Sequence, residues 1–90
     1  MSTINSTVKP EDGWFPLYTG PTAKPISVEK SSGSSEAYLA IGTALPVLDF
    51  GHSIRNGELK NVVLEAGENL YVKCVDSLSP TAQNIFSVTD

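Results

Sequence analysis

The sequence predicts an all-β fold: a small antiparallel β-sandwich or barrel of about six or seven short strands, preceded by an extended N-terminal arm. Three observations lead there. Short runs alternate apolar and polar residues with a period of two, the spacing of a half-buried strand. Turn-forming residues interrupt those runs roughly every eight to twelve positions. No stretch keeps apolar residues at i, i+3 and i+4 over three helical turns, and the one helix candidate is a single turn at Pro80-Thr81-Ala82-Gln83. A chain of 90 residues makes one domain, divided here into a flexible arm over 1–13 and a β-sandwich domain over 14–90. Such a chain buries a smaller share of its surface than a larger one, so association is a common remedy.

Residues 1–13 are rich in Ser and Thr and show no strand or helix period. They read as an arm that is mobile in solution or tied down by a neighbour through Ile4 and Val8. Trp14-Phe15-Pro16-Leu17-Tyr18 holds three of the chain's seven aromatics. Pro16 restricts this run to an edge strand or an extended segment. A turn follows at Thr19-Gly20-Pro21-Thr22. From Pro25 to Lys30 the chain alternates, with Ile26 and Val28 on one face and Ser27 and Glu29 on the other. Ser31 to Ser35 reads as a flexible loop.

Glu36 to Gly42 reads as a central strand, because both of its faces are apolar: Ala37, Leu39 and Ile41 against Tyr38 and Ala40. Val47, Leu48 and Phe50 suggest a short strand or edge piece ending at Gly51. Asn56-Gly57 is a turn signal. The stretch from Val62 to Val75 organises the rest. Leu70, Val72 and Cys74 share one face, and Tyr71 and Lys73 share the other. Gly67 lies in the polar break Glu65-Ala66-Gly67-Glu68, where a turn needs a residue that tolerates positive φ. The reading is a β-hairpin whose inner face buries Leu70, Val72 and Cys74 with Leu39 and Ile41. Ser77 to Pro80 is a loop, and Asn84 to Thr89 is the last strand, with Ile85, Phe86 and Val88 as its apolar residues.

Composition narrows the function. The formal net charge of −4 argues against a general nucleic-acid binder, which needs cationic surface to displace counterions. No apolar run approaches the length of a transmembrane helix, so no membrane partner is expected. The first nine residues lack the apolar core of a secretory signal, so synthesis in the cytoplasm is the default. The one cysteine, Cys74, is in phase with Leu70 and Val72 and reads as a small buried hydrophobe. One His and one Cys cannot supply a zinc site, and Asp49, Asp76 and Asp90 lack the spacing of a calcium loop. No Gly-x-Ser-x-Gly elbow accompanies His52, which reads as a surface loop histidine. Glu65 and Glu68 read as turn solvation rather than as a glycosidase pair. No catalytic residue, cofactor or metal is expected. Trp14, Phe15 and Tyr18 are open to three roles: capping the core, contacting a subunit or partner, or stacking on a ligand. Tyr71 and Lys73 form either a contact face or an ordinary solvated one.

The order of these motifs carries a resemblance. An aromatic Pro-Leu-Tyr segment at 14–18 is followed by a Gly-Pro turn, the strand Ile26 to Lys30 and the strand Glu36-Ala37-Tyr38-Leu39-Ala40-Ile41. The chain then reaches Val62-x-Leu64-x-Ala66-Gly67-Glu68-x-Leu70-Tyr71-Val72-Lys73 and Phe86-Ser87-Val88. Over Trp14 to Val88 this resembles small β-sandwich virion structural proteins of tailed bacteriophages, the capsid decoration or stabilisation type. The resemblance implies a non-enzymatic cement protein on the outer shell. Its partners would be the major capsid protein or other virion proteins, its location the virion, and its state a homo-oligomer, with a trimer favoured. The alternatives are a tail, neck or fibre component and, on the aromatic cluster, a carbohydrate-binding module.

Overall fold

Period-two alternation becomes eight strands in the computed structural model, which describes residues 3–20, 23–33, 35–46, 51–76 and 78–90. They are β1 (Thr3–Val8), β2 (Phe15–Thr19), β3 (Lys24–Ser32), β4 (Glu36–Gly42), β5 (His52–Ile54), β6 (Leu59–Leu64), β7 (Asn69–Val75) and β8 (Asn84–Thr89). No α-helix occurs among the described residues; Pro10–Asp12 forms one 3-10 turn, and the helix candidate at Pro80 is a turn closed by Ala82 N–H on Ser79 O at 3.1 Å. Val47, Leu48 and Phe50 lie outside the described residues, as do Pro21 and Thr22 of the turn expected there.

The strands form two antiparallel four-stranded sheets, ordered β1-β8-β3-β6 and β2-β7-β4-β5. This confirms the small β-sandwich and makes its topology specific. Consecutive strands switch sheets at every connection except β4 to β5, and the outcome is the interleaved strand order of a jelly roll.

That topology corrects the expected hairpin. β6 pairs with β3, β7 pairs with β2 and β4, and the two do not pair with each other. The turn itself is as tight as expected: Glu68 N–H donates to Glu65 O at 3.0 Å, and Gly67 has φ 85°. Ala66, however, keeps a negative φ, since among the described residues none other than glycine has a positive one. The two-residue hairpin turns, types I′ and II′, need positive φ at the first central position, and types I and II splay the strands they join. Arg55-Asn56-Gly57-Glu58 repeats the design between β5 and β6, with Gly57 at φ 77° and Glu58 N–H on Arg55 O at 3.0 Å. In both arches the closing glutamate accepts the backbone N–H of the opening residue, at 2.9 Å from Arg55 and 2.7 Å from Glu65. These carboxylates fix each arch at the point where it leaves one sheet for the other.

The N-terminal arm is also corrected. Thr3–Val8 pairs with β8 along its whole length, from Thr3 opposite Thr89 to Val8 opposite Asn84. Its outward residues Thr3, Asn5 and Thr7 are polar, which hid the strand in the sequence. Its inward Val8 is fully buried. The 3-10 turn then carries the chain from the first sheet to the second.

The core lies between the sheets. Val8, Ile26, Val28, Leu64, Phe86 and Val88 from one sheet meet Leu17, Ala37, Leu39, Ile54, Leu70, Val72 and Cys74 from the other. Each fully buried Val, Leu or Phe contributes about 1.5–3 kcal/mol through area removed from water. Ile41 departs from its expected place: near the end of β4 it is 40% exposed. A polar clasp closes one end. Asn84 is fully buried on β8, in phase with Phe86 and Val88. Its side-chain oxygen accepts Ser35 N–H at 3.2 Å, and its amide donates to Val8 O at 3.3 Å and Ala82 O at 3.2 Å. Gly33 approaches so closely that a Cβ there would collide with the Asn84 side chain.

Candidate functional site

The residues expected at an interface fall on different parts of the sandwich. Val8 and Tyr71 are buried within the chain itself and offer no surface to a partner. Ile4, at the free end of β1, is 48% exposed. Phe15 and Tyr18 are half-buried and pack against the core, so they cap it. The Tyr18 hydroxyl donates to the Asp90 carboxylate at 3.2 Å, and Lys24 Nζ stands 3.5 Å from the same oxygen. The Tyr18 hydrogen bond, and then the Asp90 charge, hold the Lys24 pKa above its ordinary value. This latch fastens the end of the chain to β2 and β3.

Tyr71 was expected to point outward, and it does: it pairs with Pro16 and Ala40 on the outer face of the second sheet. It is buried nonetheless. The tip of the Trp14 ring lies 3.5 Å from where a Cβ on Gly51 would stand. Trp14 precedes β2 and Gly51 precedes β5, so the indole reaches from one edge strand of this sheet toward the other. The Tyr71 hydroxyl accepts from the Asn69 side-chain amide at 3.0 Å. Lys73, half-buried, pairs across the face with Tyr38. Tyr71 and Lys73 thus share one face, where Tyr71 is buried and Lys73 half-buried.

The outer face of the first sheet is different. From β1 to β6 it presents Thr, Asn and Ser side chains bonded across strands: Thr3 to Thr89 at 3.1 Å, Ser87 to Asn5 at 2.6 Å, Ser31 to Ser87 at 3.0 Å and Ser27 to Asn61 at 2.7 Å. It ends on β6, an edge strand that pairs only with β3 among the described strands. There Leu59 and Val63 stand outward, 59% and 66% exposed, opposite Glu29 and Pro25. Edge strands with exposed apolar side chains are sites of association.

The sequence missed this row for a physical reason. Leu59, Asn61 and Val63 alternate with Lys60, Val62 and Leu64, so each face of β6 carries two apolar residues and one polar. Periodicity then cannot say which face is inside. The inward Lys60 is kept at the edge by Glu58, at 3.6 Å. Glu58 itself is held below its ordinary carboxylate pKa, first by the Arg55 N–H and then by the Lys60 charge.

Among the described residues no group of three His, Cys, Asp or Glu side chains is placed to hold a metal. His52 is exposed on β5 rather than in a loop. Cys74 is buried as expected, and burial pushes its thiol up to about 11. No helix among the described residues is long and apolar enough to cross a membrane. No family model, no curated protein and no solved structure matches the chain.

Proposed function

We propose that this protein is a non-enzymatic structural protein of a tailed-bacteriophage virion, a decoration or cement protein that binds the outer shell as a homo-oligomer. The observation that carries the reading is the surface of β6. A closed core fills the inside of the sandwich, and the Leu59 and Val63 row is an exposed apolar strip at the edge of an otherwise hydroxyl-rich sheet. Such a strip at a sheet edge suits addition to a neighbouring protein surface. The resemblance over Trp14 to Val88 supports the same reading. So, by analogy only, does the jelly-roll strand order, which recurs in viral capsid domains.

The mode of attachment differs from an arm laid along a neighbour, because the arm is β1 of the same sandwich. Contact then belongs to the β6 edge and to Ile4, not to Val8. Mass-spectrometric copy counting on purified particles tests the reading. Hundreds of copies per particle fit decoration; tens fit the tail, neck or fibre alternative; absence from particles rejects both. Val63→Asp should fold normally and bind poorly to shells stripped of the protein. Equal capture of the variant and the parent would remove β6 from the contact.

A further inference from the structure

At the end of the sandwich where β3 meets β4 lies a cleft of about 380 Å³. Lys30, Glu36, Ser53, Arg55 and Asn56 are among its lining residues. The sequence reason for its chemistry is the parity of β3. Ile26 and Val28 point into the core, and Lys30 continues their face. The strand therefore delivers an ammonium inside the fold, and only 2% of the residue is exposed.

A buried ammonium is costly unless acceptors or an anion replace its water. Lys30 Nζ donates to Gly33 O at 3.0 Å and to the Asn56 side-chain oxygen. Both acceptors are neutral. An ammonium has three donors, so among the described residues these two bonds leave one over. The Cys74 thiol, whose charge couples to Lys30, is kept neutral by its own burial. No carboxylate among the described residues stands within ion-pair distance of Lys30 or of the Arg55 guanidinium, although the Arg55 charge acts on Glu58, which pairs with Lys60. Desolvation holds the Lys30 pKa below its ordinary value, as expected for a cation without a counter-ion.

We propose that this cleft is a binding site for one carboxylate group, held between the Lys30 ammonium and the Arg55 guanidinium. The charge count bounds the ligand. Two cations and one carboxylate, Glu36, line the cleft, and the Glu58 carboxylate outside the lining is within reach of the Arg55 charge, so the cleft admits at most one further negative charge. A phosphate dianion would bring a second charge against Glu36. The planar fork of Arg55 matches a planar carboxylate, and Ser53 supplies a neutral hydroxyl beside it, while the Asn56 amide is engaged in holding Lys30 and Gly33 O, to which it donates at 2.7 Å. On a chain of net charge −4 the cleft gathers two of the six cationic side chains, which favours an anion there. The carboxylate can be free in solution or belong to an acidic side chain or terminus of a polypeptide. This inference does not rest on the virion reading.

The test uses the full chain and two probes: sodium acetate, compared with sodium chloride at equal ionic strength, and a short glutamate-terminated peptide. Binding is followed through the thermal midpoint and the amide and lysine resonances of β3 and the 55–58 arch. Acetate should raise the midpoint saturably, as ligand linkage requires, and shift those resonances. Arg55→Gln, at an exposed position, should fold normally and weaken the effect at least about tenfold, the loss of one charge-assisted bond. Lys30→Met should abolish it, and Glu36→Gln should strengthen it. Acetate indistinguishable from chloride, or a response unchanged in Arg55→Gln, would overturn the proposal. Tighter binding of the peptide than of acetate assigns the carboxylate to a polypeptide; binding of acetate alone assigns it to a small free acid.

Discussion

Two buried polar residues stand on neighbouring strands at the same end of the sandwich, and they are opposites. Asn84 on β8 is neutral, fully buried, and meets three backbone groups: Ser35 N–H, Val8 O and Ala82 O. Lys30 on β3 is nearly as buried, is charged, and among the described residues meets two neutral oxygens. Both continue the inward parity of an apolar run. The first joins β1, the β3–β4 corner and the loop before β8, so it is a clasp. The second is a cation whose surroundings leave part of its charge uncompensated. A buried neutral group with its partners specifies structure, and a buried charge without a counter-ion marks a place where an anion can bind. Four changes break or sharpen that distinction, with progressively smaller effects.

The largest follows from removing residues 1–9. The truncation takes away β1, the buried Val8 and the carbonyl that Asn84 grips, and it leaves β8 as an edge. The expected loss exceeds roughly 5 kcal/mol, comparable with the whole stability of a small domain. Urea denaturation of the truncated chain measures it. A thermal midpoint unchanged by the truncation would return these residues to the role of a loose arm.

That first test bears on how much of the molecule could be read beforehand. The inward faces of β4 and β7 were readable at Leu39, Leu70, Val72 and Cys74, because apolar residues alternate there with clear contrast. So was the positive φ of Gly67. β1 was not readable, because an edge strand whose outer face is Thr, Asn, Thr and whose inner face begins with a half-exposed Ile4 looks like a polar arm. The sheet switch between β6 and β7 was hidden for another reason. The same four turn residues serve a hairpin or an arch, and the sign of φ at Ala66 decides between them. At the candidate sites the signal was present but faint. Lys30 and Asn84 each sit in phase with two core residues, a position that strands ordinarily give to apolar side chains.

Asn84→Ala comes next. It leaves Ser35 N–H, Val8 O and Ala82 O without their partner in the interior. Each stranded group costs about 1–3 kcal/mol, with some relief where water can enter. A net loss of roughly 3 kcal/mol is expected, read from the urea midpoint at unchanged slope. A loss below ~0.5 kcal/mol, the ordinary surface value, would show that the clasp is ornamental.

Lys30→Met should do far less, although the residue is larger and nearly as buried. It removes two hydrogen bonds to neutral acceptors, and with them an ammonium lacking an ion-paired carboxylate among the described residues. Replacing a buried charge by an apolar side chain of similar length is often neutral or stabilising. A change within about 1 kcal/mol of zero, of either sign, is the expectation. A loss as large as that of Asn84→Ala would make Lys30 a second clasp and would remove the contrast between the two.

The last effect is a matter of pH. Desolvation lowers the Lys30 pKa in the folded chain below the ordinary 10.5, so the native state binds fewer protons than the unfolded state at the pH values between. Stability therefore rises as pH climbs toward 10.5, and the penalty is fully present below the folded pKa. Cys74 acts in the opposite sense. Burial raises its thiol from the ordinary 9.0 to about 11, so the native state keeps a proton that the unfolded state loses. Its contribution is intact below 9.0 and is lost as pH rises through about 11. The two trends overlap and partly cancel in the native protein, at slopes no steeper than about 1.4 kcal/mol per pH unit each. Urea midpoints measured across this range separate them. Lys30→Met should keep only the decline, shifted further up because the cation that favours the thiolate is gone. Cys74→Ala should keep only the rise. Superimposable profiles for parent and both variants would mean that neither group is desolvated as its burial implies, and the uncompensated charge at the floor of the cleft would lose its physical basis.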